Sequence, residues 1–234
     1  MELSIQTLML KFFRKFKRKK HHEILKLVNK GDLYFDIGAH LGEKSKPFIE
    51  KKIRTIMVEP IPVCVKNLKK LYSKNSIVKI IPKGLGSKNT KKILSINKEM
   101  PTTSTFAKHW KSGRFSNLKW PDKIQVQITT LDSLIKKFGN PQYIKIDVEG
   151  YELNVIKGLT KKSGIISFEV TSEFFSDAIK CLDYLKKLSY KSFTFSIGEQ
   201  KKFCSDWCDY KTIINLIKKE IKKDKFFWAD IYCK

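Results

Sequence analysis

A single α/β domain, built on a mostly parallel sheet with helices on both faces, is the fold that this 234-residue sequence predicts. Three observations predict it. From residue 33 onward, short runs rich in Val, Ile and aromatics alternate with stretches of helical periodicity, as strands joined by crossover helices require. The first run, LYFDIGAHLG at 33–42, stays apolar up to a carboxylate and then turns through two glycines, like the carboxyl end of a buried strand. The length suits one domain with a sizeable core.

In chain order, residues 4–29 read as a helix. Leu8, Phe12 and Phe16 fall at i, i+4 and i+8, and seven Lys and Arg residues between 11 and 20 cover the other faces. Such a helix either lies on an anionic membrane surface or docks its stripe on the domain or on a second subunit of a homodimer; docking is preferred. Residues 1–30 are therefore set apart from the domain at 31–234. Strands follow at 33–37, 55–58, 78–81, 143–148, 165–170 and 192–197, with helices at 43–52, 62–74, 131–138, 151–159 and 175–188. Residues 91–97 and 123–129 read as extra strands flanking an irregular loop, and 226–232 as a closing strand.

The net charge of +25 points first to nucleic acid or an anionic surface. Its make-up argues against nucleic acid. Only four residues are arginine, so lysine supplies 44 of the 48 basic side chains, and bidentate base and phosphate contacts lean on arginine. Five irregularly spaced cysteines make neither a disulfide framework nor a four-ligand zinc site. With Lys11, Arg14 and Lys15 interrupting any leader-like apolar run, a cytoplasmic location is expected.

The chemistry concentrates at predicted strand ends, where ligands bind in open α/β sheets. In DIGAHLG, Gly38 and Gly42 would let the backbone approach a ligand, and Asp36 suits an ammonium group better than a pyrophosphate. Glu59 ends the second strand 21 residues after Gly38, where an acid accepts both hydroxyls of a ribose. The run YIKIDVEGYELNVIKG, 143–158, ends a strand on Asp147 and adds Glu149 before the next helix, with TTLDSL at 129–134 upstream.

The ordered set DIGAHLG, VEP, TLDSL and KIDVEGYE resembles the FkbM family of S-adenosylmethionine-dependent methyltransferases from about residue 33 to 170. The resemblance implies a class I methyltransferase fold, a Rossmann-like seven-stranded sheet with one antiparallel strand. It also implies that Asp36, Gly38, Ala39, His40 and Gly42 hold the methionine end of S-adenosylmethionine, that Glu59 binds the ribose, and that Gly84 and Leu85 pack the adenine. His40 stands where the family often has Asn. Asp147 would face the methyl group.

An acceptor hydroxyl must be aligned with that methyl and relieved of its proton. The candidate bases are Asp147, Glu149 and His109. Glu149 also reads as an acid that caps the following helix, and His109 lies in an aromatic, polar loop at 100–122 suited to sugar faces. A metal-assisted site on these acids is not expected. The expected function is O-methylation of a sugar, glycan or other small hydroxyl compound. The rivals are an RNA or DNA methyltransferase and a non-catalytic module that binds a membrane or partner.

Overall fold

The computed structural model describes residues 23–234. Most of the helix expected at 4–29 lies outside them; within them, Glu23–Leu27 forms a 3₁₀ turn whose Ile24 and Leu25 are buried against the domain. A seven-stranded sheet has the order β3-β2-β1-β7-β8-β10-β9. Its strands are β1 (Leu33–Ile37), β2 (Arg54–Val58), β3 (Val78–Ile81), β7 (Tyr143–Ile146), β8 (Ile165–Thr171), β9 (Phe193–Ile197) and β10 (Trp228–Cys233). All neighbours pair in parallel except β10, which runs antiparallel to both β8 and β9.

Alternation along the strands decides the two faces. On one, Phe35 and Ile37 of β1, Ile144 and Ile146 of β7, and Ile166 and Phe168 of β8 form the main core. That core is closed by helices α3 (Leu131–Phe138), α4 (Glu152–Ile156), α5 (Phe175–Lys187) and α6 (Tyr210–Lys223). Helices α1 (Lys46–Glu50) and α2 (Pro62–Tyr72) lie on the other face, where Phe48 stacks on Tyr34 at 4.1 Å and Leu68 packs with Met57.

Beside the main sheet sits a second one. β5 (Thr90–Ile96) and β6 (Asp122–Thr129) form an antiparallel pair, and β4 (Gly84–Leu85) joins β6. The chain between β5 and β6 runs through three short 3₁₀ turns and is tied down at Thr103, whose carbonyl accepts from Trp120 Nε1 at 2.9 Å.

Two expected helices are shorter than their periodicity suggests. The one expected at 43–52 reduces to α1, because Gly42, at φ +80°, opens a run of turns before Pro47. The one expected at 151–159 reduces to α4, because Gly158 folds against the Gly86 carbonyl, where a Cβ would come within 2.4 Å. Helix α6 was not anticipated; Asp209 starts it by accepting from the Thr212 amide at 2.8 Å.

Candidate active site

The carboxyl ends of β1, β2 and β7 converge on a cleft of about 100 Å³ lined by Gly38, His40, Glu59, Asp147 and Glu149, with Pro101, Ser104 and Phe106 as its opposite wall. Glu59 is its best-defined side chain. One carboxylate oxygen accepts from the His40 amide at 2.8 Å and the other from the Ile61 amide at 2.7 Å, fixing the side chain at the mouth of β2. Burial outweighs both amides and pushes its pKa up to about 7. His40, at φ +48°, contributes backbone and ring here, and burial lowers its imidazole pKa.

The glycines of DIGAHLG also have a packing cause that the sequence alone does not show. A Cβ on Gly38 would lie 1.8 Å from the Asp147 carbonyl, so its missing side chain lets β1 close against the end of β7. Gly42 is pressed instead on Leu68 and Tyr72 of α2. Ala39 sits in the α1–α2 core with Met57 and does not line the cleft. Asp36 is buried, projects from the Tyr34 side of β1, and accepts from Ser45 Oγ at 2.6 Å. It does not line the cleft either, because strand alternation turns it toward Lys145, its register neighbour on β7. Gly84 and Leu85 pair with β6, and the Phe106 ring packs on Gly84, where a Cβ would meet it at 2.9 Å.

At the end of β7 two carboxyls are driven apart. Lys145, buried in an otherwise apolar strand, donates to Asp147 Oδ2 at 2.5 Å. Burial alone would raise the Asp147 pKa, but the Lys145 charge and hydrogen bond outweigh it and hold Asp147 below its usual value. Glu149, at φ +56°, is pushed well above its usual value by burial and by the Glu169, Asp147 and Glu152 carboxyls. Glu149 does not cap the next helix as expected. Among the described residues no side chain caps that helix; Glu152, its first residue, instead ties down the preceding turn, accepting from the Val148 and Gly150 amides at 3.2 and 3.1 Å.

His109 is not brought to this pair. Trp110 lies flat over Gly150, where a Cβ would meet the ring at 2.7 Å, and Arg114 grips both carboxylate oxygens of Glu173 at 2.6 Å. These contacts draw residues 109–115 toward the β8 side, where His109 Nε2 lies 3.2 Å from Asp177 Oδ2. Sequence reasoning missed Lys145 and Glu152; a lone lysine inside YIKID was the readable sign of a buried ion pair. Among the described residues, no group of three or more His, Cys, Asp or Glu side chains is arranged to hold a metal ion.

The family model for the methyltransferase FkbM domain matches residues 36–192. The chain belongs to the FkbM methyltransferase family. Its cofactor is S-adenosylmethionine, and its fold is that of the class I methyltransferases. No curated protein matches the chain. Among solved structures, the chain is similar to a precorrin-6y C5,15-methyltransferase from Geobacter metallireducens (TM-score 0.46, 11% identity, 90% of this chain and 84% of that one). It is also similar to a TehB-like SAM-dependent methyltransferase from Corynebacterium glutamicum (0.45, 10%, 98% and 96%). A third similarity is to P. horikoshii TYW2 in complex with MeSAdo (0.44, 12%, 92% and 61%).

The donor set at the cleft fits the cofactor of the family. Each Glu59 oxygen keeps a lone pair beyond its backbone amide, the acceptor pair that a ribose diol needs. The room does not yet fit. Pockets for molecules of that size hold roughly 300–1,000 Å³, against about 100 Å³ here.

Proposed function

We propose that this methyltransferase acts on a hydroxyl oxygen of a sugar, glycan or related small molecule, in the cytoplasm. The observation that carries the reading is the divided pair at the end of β7. One carboxyl there is kept ionised by Lys145; the other is raised toward neutrality, and both line the cleft. Pairs of acids pushed apart by their surroundings are how a fold assigns acid and base roles. Asp147, kept ionised, accepts the hydrogen bond of the acceptor O–H and takes its proton as the oxygen attacks. Glu149, held toward its neutral form, donates a hydrogen bond that orients the acceptor. Bound S-adenosylmethionine supplies the electrophilic methyl group. Glu59 anchors the ribose, and the segment latched by Arg114 keeps water from the reacting oxygen.

The aromatic, polar loop and the absence of an arginine-rich surface favour a sugar over a nucleic acid. Five free thiols suit a reducing compartment. No helix among the described residues is long and apolar enough to cross a membrane.

The test is methyl-labelled S-adenosylmethionine offered with oligosaccharides, simple glycosides and total RNA in separate reactions. Label in a glycan or glycoside is expected, with Asp147→Asn lowering kcat by about 10²–10⁴-fold and leaving S-adenosylhomocysteine affinity within about twofold. Label confined to RNA would overturn the reading.

A further inference from the structure

A second cavity of about 80 Å³ lies across the Glu149–Gly150 turn from the cofactor cleft, under the 109–115 segment. Its lining includes Trp110, Thr171, Glu152 and Glu169, with His109 and Asp177 also on its wall. Two of these residues carry an unmet demand. Trp110 Nε1 and Thr171 Oγ1 are both buried without a hydrogen-bond partner, on residues 3% and 4% exposed. Buried polar atoms are satisfied in nearly all native proteins, so two orphans on one cavity mark a missing partner.

We propose that this cavity is a subsite for a neighbouring hydroxyl pair of the acceptor, a vicinal diol of a sugar; the proposal rests on the reading of the chain as a sugar O-methyltransferase. The chemistry selects the ligand. The indole N–H can only donate, so the partner must accept, which an ammonium cannot do. The Glu152 and Glu169 carboxyls on the same wall can each accept, so the partner must also donate, which a fully ionised carboxylate or phosphate cannot do. A hydroxyl accepts from the indole and the threonine while donating to a carboxyl. The volume holds two or three groups of a water's size, at ~30 Å³ each, which matches two hydroxyls on adjacent carbons. Val170, Phe174 and Ala178 supply the apolar wall for those carbons. Gly150 lines this cavity and Glu149 the cofactor cleft, so the two are neighbours across one turn of chain.

The test is saturation-transfer NMR of methyl glycosides of glucose, galactose, mannose, rhamnose and xylose on protein loaded with S-adenosylhomocysteine. Trp110→Phe and Thr171→Val each remove one orphan and keep the shape. At least one glycoside is expected to bind, and each variant to weaken it about tenfold with unchanged S-adenosylhomocysteine affinity and unchanged thermal stability or a gain in it. Equal glycoside binding in both variants, binding by none of the five, or a crystal structure with a bound glycoside elsewhere and only ordered water here would each overturn the subsite. Glycan methylation that persists unaltered in both variants would sink the subsite and leave the proposed function standing. Failure of the wild type to bind S-adenosylhomocysteine would sink both.

Discussion

Replacing Glu59 by Gln separates the cost of a buried carboxylate from its use. Glu59 is 3% exposed and its pKa is pushed from 4.5 up to about 7. A raised acid is protonated at no cost below the unfolded value, and folding stability falls as pH rises from 4.5 through about 7. A shift of about 2.5 units, at ~1.36 kcal/mol each, amounts to ~3.4 kcal/mol in full, of which about 2.5 kcal/mol falls between pH 5 and 8. Gln cannot ionise but turns one N–H toward a backbone amide, losing one of the two hydrogen bonds, about 1–3 kcal/mol at every pH. Glu152, also raised to about 7, is common to both proteins and cancels. The variant is therefore less stable than wild type at pH 5, by up to about 2 kcal/mol, and more stable at pH 8 by up to about as much. At roughly 2–4 °C per kcal/mol for a chain of this size, the Tm difference moves by about 5–10 °C in favour of the variant. Thermal melts by circular dichroism at the two pH values read this directly. On the proposed ribose contact, which prefers the carboxylate, wild-type affinity for S-adenosylhomocysteine by calorimetry rises about tenfold from pH 6 to 8. The variant binds more weakly and without that slope. A Tm gap that does not move with pH, or equal affinities in the two proteins, would refute the reasoning.

Three further outcomes follow from the same contacts. Gly38→Ala drives a Cβ into the Asp147 carbonyl at a backbone angle that alanine resists, and costs about 3 kcal/mol or more; a denaturant midpoint near wild type would contradict the close approach of β1 and β7. Lys145→Met strands Asp147 in a site also faced by Asp36 and Asp230, destabilising by about 3–5 kcal/mol at pH 8 and less at pH 4, where the acids take up protons. Urea titrations at both pH values check that difference. Arg114→Ala removes the grip on Glu173 and the bond to the Phe227 carbonyl at 3.1 Å; faster hydrogen exchange over 104–120 is expected, with exchange in β1 and β7 unchanged.

Much of the sheet was legible because β1, β2, β3, β7 and β9 are short apolar runs stopped by a carboxylate, proline or glycine. The bounds of β1, β3 and α3 match the expected ones residue for residue. Helix α6 was not legible. Its first turns carry the β-branched Thr212, Ile213 and Ile214, and only the Asp209 cap and the buried pair Ile213 and Ile217 signal a helix. At the site, the position of Glu59 was readable because an acid directly follows an apolar strand. The causes of Gly38 and Asp36 were not. Each depends on β7, more than a hundred residues away, and no local pattern reports which neighbour a strand will meet. Loop 97–121 placed His109 beyond Asp147 for the same reason: Trp110 and Arg114 find their partners at Gly150 and Glu173, both distant in sequence.

The position of β10 has a consequence for how the enzyme comes into being. Of the seven strands of the main sheet it leaves the ribosome last, yet it fills the gap between β8 and β9. Until it arrives, those two strands present bare edges, and Glu169 lacks the neighbour that Asp230 provides in register. Strands β1 to β3 need nothing from it, since none of them pairs with it. Synthesis thus delivers the strand ends that carry Gly38, Glu59 and Asp147 well before the flank at Glu169 is sealed, and the sheet is complete only with its final stitch.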